Sequence, residues 1–104
     1  MSATKSVGQL EQFPEGQVKI HRIQGQRVAV VQFEGQFYAF EDRCTHDDGP
    51  LGEGRLHGCE IECPRHGARF DVRDGRVTRS PALYPLEIYD VEVRDGEVYV
   101  TLPG

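Results

Sequence analysis

No stretch of the chain approaches the roughly 20 consecutive apolar residues that a membrane-spanning helix needs. Residues 1–10 carry no apolar run of the kind found in a secretory signal, so the chain reads as cytoplasmic, with no membrane partner. Basic residues are few and scattered: 12 Lys and Arg face 17 Asp and Glu, the formal net charge is −5, and no basic run exceeds two residues. Phosphate backbones are bound by clustered cations, which excludes nucleic acid as a partner class. The acidic balance suits a partner with a basic docking face. Helical periodicity is missing as well, with Ala and Leu sparse and Val frequent. Cysteines number only 3, an odd count, and two of them sit beside histidines; in a reducing compartment that favours metal over disulfide.

The 104 residues make room for one domain, 1–104, with one modest core, a size that often needs a staple such as a metal. Short alternating runs separated by glycine turns predict strands over 18–23, 27–33 and 37–41, a β-meander turning at Gly25 and Gly35. The C-terminal end repeats the pattern over 86–93 and 98–102. Asp95-Gly96 between those runs is a strong hairpin signal, because a type I′ turn needs positive φ at both central residues. Asp74-Gly75 predicts a third such turn, between 70–72 and 76–78. Between the two β regions, residues 43–85 hold all the cysteines and most of the prolines. They read as an insertion into an otherwise plain antiparallel β-sandwich, placed where loops on a rigid scaffold usually carry sites.

Two segments in that insertion stand out: Cys44-Thr45-His46 and Cys63-Pro64-Arg65-His66, with sixteen residues between His46 and Cys63. Each offers one thiolate and one imidazole. Pro64 and Gly67 favour a tight turn around the second pair, as Gly49-Pro50 and Gly52 do after the first. Structural zinc sites usually pair Cys with Cys and His with His, at longer spacing than C-x-H. The mixed knuckles suit a two-iron centre better, both cysteines on one iron and both histidines on the other. An imidazole nitrogen reaches further from the backbone than a thiolate sulfur, so the histidine-bound iron is expected nearer the surface. A Cys44–Cys63 disulfide with two surface histidines explains neither the spacing nor the histidines.

These two boxes, at this spacing, resemble those of the Rieske family, and the resemblance extends to the flanking strands. It implies an all-β, Rieske-like sandwich of antiparallel sheets with an inserted cluster-binding subdomain, over about 43–85. It implies one [2Fe–2S] cluster, with Cys44 and Cys63 on the inner iron and His46 and His66 on the outer iron through Nδ1. Two thiolates and two neutral imidazoles leave the oxidised centre near neutral, so an electron is accepted more easily than by a four-thiolate centre. Rieske potentials run from about −150 to +300 mV. High-potential members carry an extra cysteine in each box, which pair in a disulfide, and a serine and a tyrosine whose hydroxyls donate to cluster sulfur. Here the matching places hold Asp48 or Gly49, Arg65, Ala68 and Phe70. The expectation is a potential near the bottom of the range.

That combination resembles the Rieske-type ferredoxins of bacterial non-haem iron (aromatic-ring) dioxygenase systems. The resemblance implies an electron carrier, not catalytic alone, between a flavin-dependent ferredoxin reductase and a terminal oxygenase. A small subunit of a nitrite-reductase-like enzyme, or a structural zinc or regulatory module, are the alternatives. Among the remaining residues, His57, Cys59 and Ile61 alternate with Gly58, Glu60 and Glu62, so Cys59 shares a face with Ile61 and reads as a small core residue on a strand. His21 and His57 read as strand or surface residues without a metal role. Asp47 and Asp48 adjoin His46 too closely to build a separate mononuclear iron site with it. The resemblance makes 80–85 the third loop over the cluster, with Pro50 and Leu51 adding apolar cover. Of Arg43, Arg55, Arg65 and Arg69, Arg65 is the one expected to touch a partner.

Overall fold

A computed structural model of the chain describes residues 3–45, 50–52, 54–64, 67–80 and 84–103. Among the described residues are ten strands: β1 (Ala3–Gln9), β2 (Lys19–Ile23), β3 (Gln26–Phe33), β4 (Gln36–Glu41), β5 (Arg55–His57), β6 (Glu60–Glu62), β7 (Arg69–Asp71), β8 (Val77–Arg79), β9 (Ile88–Arg94) and β10 (Glu97–Leu102). They form a six-stranded sheet in the order β1-β10-β9-β4-β3-β2 and a four-stranded sheet in the order β5-β6-β7-β8. All strand pairs are antiparallel.

The large sheet is built from tight hairpins. Ile23 pairs with Gln26, Phe33 with Gln36 and Arg94 with Glu97, so each connection has two residues. Their φ values are +52 and +80° at Gln24-Gly25, +51 and +78° at Glu34-Gly35, and +51 and +77° at Asp95-Gly96. Positive φ at both centres is the type I′ signature, whose twist matches that of the strands it joins. Gln24 and Glu34 are poorer residues for this than Asp95, and the left-handed region costs a non-glycine residue about 1 kcal/mol.

Strand β3 explains why the sheet has two faces to bury. Val28, Ala29, Val30 and Val31 are all fully buried. Val28 and Val30 point into an apolar cluster with Phe13, Ile23, Ala39, Val98 and Val100. Ala29 and Val31 point the other way, into a second cluster with Phe40 of β4, Ile61 and Phe70 of the small sheet, and the two cysteines Cys44 and Cys63. Successive side chains of a strand alternate faces, so a continuous apolar run is what a strand buried on both sides requires.

Two elements differ from the sequence reading. Strand β1 was not expected: of its side chains Val7 is the buried one described, and Lys5, Ser6 and Gln9 are polar edge residues. It forms because β10 presents an open edge, which it follows with a register shift between Ser6 and Gly8. Cys59 does not lie on a strand. His57 pairs with Glu60, so Gly58-Cys59 is a two-residue hairpin with φ +61° at Gly58, the arrangement of a type II′ turn. Cys59 is half-buried rather than core; Gly58 imposed a turn where alternation suggested a strand. The turn at Asp74-Gly75 is present but longer than two residues, with the Asp71 N–H donating to the Arg76 carbonyl at 2.8 Å.

Candidate metal centre

The two thiols come together from the ends of strands. After β4 the chain bends sharply: the Arg43 N–H donates to the Glu41 carbonyl at 2.8 Å, and Cys44 turns inward, fully buried. Cys63 follows β6 directly, and its N–H donates to the Ala68 carbonyl at 2.7 Å, extending the β6–β7 ladder by one rung. The Gly67 N–H donates back to the Cys63 carbonyl at 3.0 Å, and Gly67 has φ +76°, so Cys63 and Gly67 are drawn together at the hairpin tip. Cys44 is 0 % and Cys63 1 % exposed, both belong to the same apolar cluster, and neither is in a disulfide. Buried thiols from two loops in one cluster, left uncrosslinked, fit a thiolate-ligated centre whose sulfur end is screened from water. His46 and His66, the other two expected ligands, lie outside the described residues, as do Asp47, Asp48 and Arg65.

The surroundings are apolar on the cysteine side. Leu51, Ala68 and Phe70 are fully buried in the same cluster. Ala68 and Phe70 carry no hydroxyl, so their side chains bring no hydrogen-bond donor to that space. The loop of residues 80–85 meets the first box: the Thr45 hydroxyl, one residue after Cys44, donates to the Tyr84 carbonyl at 2.6 Å. Residues 81–83 lie outside the described residues.

Side-chain charge ties down the first ligand loop and the turns of the small sheet. The Asp42 carboxylate, 4 % exposed, takes Nη2 of Arg27 at 2.7 Å and the backbone N–H groups of Leu51 and Gly52 at 2.9 and 2.6 Å. Asp71, 2 % exposed, accepts three bonds from Arg73, which hold its carboxyl down at about 2. Across the small sheet, His57 Nε2 lies 2.6 Å from Glu62 Oε1, and Arg69 bridges to both Glu60 and Glu62. The hydrogen bond from His57, helped by the Arg69 charge, pulls the Glu62 carboxyl below its usual range against the opposing effect of burial. The Cys59 thiol sits 3.7 Å from Asp71 Oδ2, and burial plus that negative charge push it up, away from thiolate. Sequence reasoning missed Asp42 and Asp71, because a loop aspartate is ordinarily a solvated one.

Neither expected bystander histidine belongs to this group: His21 lies on β2 with its ring 5.9 Å from that of Phe13, and His57 is on β5. Among the described residues no helix is long and apolar enough to cross a membrane.

The comparisons with known proteins bear on family and fold. A family model for the Rieske [2Fe-2S] domain matches residues 3–90. Ferredoxin CarAc of Metapseudomonas resinovorans is 46 % identical over 82 residues, 79 % of this chain and 77 % of that one. A chain in a solved complex of reduced oxygenase and oxidised ferredoxin in carbazole 1,9a-dioxygenase is 41 % identical, covering 93 % of this chain and 91 % of that one, with a TM-score of 0.88. The ferredoxin of carbazole 1,9a-dioxygenase from Nocardioides aromaticivorans IC177 is 36 % identical, covering 94 % of this chain and 96 % of that one, with a TM-score of 0.90. The chain belongs to the Rieske [2Fe–2S] domain family and is a ferredoxin-type member of it, carrying a single cluster of that kind.

Proposed function

We propose that this chain is a low-potential Rieske ferredoxin, a single domain over 1–104 with its cluster-binding insertion at about 43–85. In this reading Cys44 and Cys63 hold one iron, and His46 and His66 hold the other. The bound cluster supplies a one-electron couple. The chain takes one electron from a flavin-dependent reductase and gives one to a terminal oxygenase; it is a carrier in an oxygenase system and not an enzyme by itself. The observation that carries the ligand set is the convergence of two buried, uncrosslinked thiols at the C-x-H and C-x-x-H boxes. The low potential is supported by Ala68 and Phe70, both buried beside those thiols and without a hydroxyl to stabilise added negative charge. The oxygenase partner is supported by the relative seated in the carbazole 1,9a-dioxygenase complex.

A potentiometric titration tests the potential. A midpoint in the lower part of the roughly −150 to +300 mV Rieske range is expected, and one well above zero would contradict it. Introducing a donor sharpens the test: Phe70→Tyr should raise the midpoint, because a hydroxyl donating to sulfur favours the reduced state.

A further inference from the structure

Asp42 stands where the chain leaves the large sheet. Its own N–H still completes the β3–β4 ladder, donating to the Arg27 carbonyl at 2.9 Å. One residue later the chain has turned away, since the Arg43 N–H bonds back to Glu41 at 2.8 Å. The Asp42 side chain then reaches across the loop that this turn begins. Oδ1 takes the N–H groups of Leu51 and Gly52 at 2.9 and 2.6 Å, while Oδ2 takes Nε and Nη2 of Arg27 at 3.1 and 2.7 Å. Both ends of segment 43–50 are thus tied to one carboxylate, and Cys44 lies two residues inside it.

Three further observations show that this contact is built. The carboxylate is 4 % exposed, and each of its oxygens is satisfied. Leu51, whose N–H it takes, is fully buried in the same apolar cluster as Cys44 and Cys63. Gly52 permits the approach: a Cβ there would run into Ile20 Cδ1 and come within 3.2 Å of Asp42 Oδ1. No disulfide closes the loop, as the chain's 3 cysteines are Cys44, Cys59 and Cys63 and none is in a disulfide. The Arg27 side chain is 39 % exposed, so the ion pair itself adds little net stability; what it fixes is the direction in which the carboxylate points.

We infer that Asp42, braced by Arg27, is a positioning residue that presets the first ligand loop, holding Cys44 at a fixed place opposite Cys63 before and after the electron arrives. The inference rests on the ligand reading above. It gives Asp42 an effect on the centre itself, beyond an effect on folding. Asp71 is the control, being an equally buried carboxylate bonded to arginine, but serving a turn that bears no ligand.

The test compares the purified, cluster-loaded chain with Asp42→Asn, Arg27→Lys and Asp71→Asn. The readouts are the EPR spectrum after dithionite reduction, the midpoint potential, and the rate at which a ferrous chelator bleaches the visible absorbance. Asp42→Asn turns one oxygen into an NH2 facing Arg27 or the loop N–H groups, so it should shift the EPR spectrum and potential and speed bleaching at least about tenfold. Arg27→Lys, which keeps the charge but loses the second bond, should move all three in the same direction by less. Asp71→Asn should leave the spectrum and potential at wild type. Unchanged spectra and potentials in both Asp42→Asn and Arg27→Lys would overturn the inference, as would equal shifts in Asp71→Asn. If Asp42→Asn yields no folded chain, Arg27→Lys decides alone. A wild-type chain without a Rieske signal would instead defeat the ligand reading.

Discussion

The large sheet and the small sheet are held together by different means. In the large sheet, strands of five to eight residues pair along their length within β2–β4 and within β1, β10 and β9, the two groups meeting at β4–β9 over two residue pairs; two-residue hairpins set the register of β2–β3, β3–β4 and β9–β10, and side chains of β3 interdigitate with apolar neighbours on both faces. The small sheet has strands of three residues each, too short to specify themselves by backbone pairing. Its loops are instead tied by side chains, with Asp42 gathering the first ligand loop and Asp71 the turn after β7. The expectation that follows is a large sheet that stands as a frame without a ligand and a small sheet whose loops are completed by one.

Removing the cluster should break the comparison most visibly. Metal binding free energy becomes folding free energy where a site organises its own loops. In the apo chain, amide exchange in β5–β8 should accelerate by roughly a hundredfold or more, while β3, β4 and β10 keep their protection. Uniform loss across both sheets would show that the frame is not independent.

Core truncations sharpen the contrast. Phe13→Ala empties a buried ring from the frame's cluster and should cost about 3–5 kcal/mol in urea unfolding, leaving the EPR spectrum of the reduced protein unchanged. Phe70→Ala should cost a similar amount and alter that spectrum, because Phe70 shares its cluster with both cysteines. Gly75→Ala should have a smaller effect, about 1–3 kcal/mol. Gly75 sits at φ +84° and a Cβ there would collide with the Leu86 carbonyl, which accepts no such neighbour; the Leu86 N–H already bonds to Gly75 at 2.8 Å.

The smallest expected effect is a pH dependence. The bonds from Arg73 depress Asp71 from 3.8 in the unfolded chain to about 2 when folded. A carboxyl lowered on folding stabilises the native state above its unfolded value, and that stabilisation fades as pH falls through the folded one. The stability difference between wild type and Asp71→Asn should therefore be full above about pH 5 and shrink from about pH 4 toward 2. A gap independent of pH would place the Asp71 contribution elsewhere.

What could be read in advance follows the same division. The hairpins at Gly25, Gly35 and Gly96 were legible because turn chemistry and alternation are local signals. The ligand boxes were legible because spacing is written along the chain. Strand β1 was not, since its pairing is set by the exposed edge of β10, ninety residues away, rather than by its own polar sequence. Cys59 was misread because alternation over five residues fits a strand as well as two strand ends around Gly58. Asp42 and Asp71 escaped because only the folded loops show what a carboxylate has been buried against.

EPR of the dithionite-reduced protein, with pulsed measurement of nitrogen couplings, tests the central claim most directly. The account predicts a Rieske-type signal from one [2Fe–2S] cluster coupled to two histidine nitrogens, with one coupling lost in each of His46→Cys and His66→Cys. Zinc without acid-labile sulfide in protein made with ample iron, or an iron–sulfur signal with no nitrogen coupling, would contradict it.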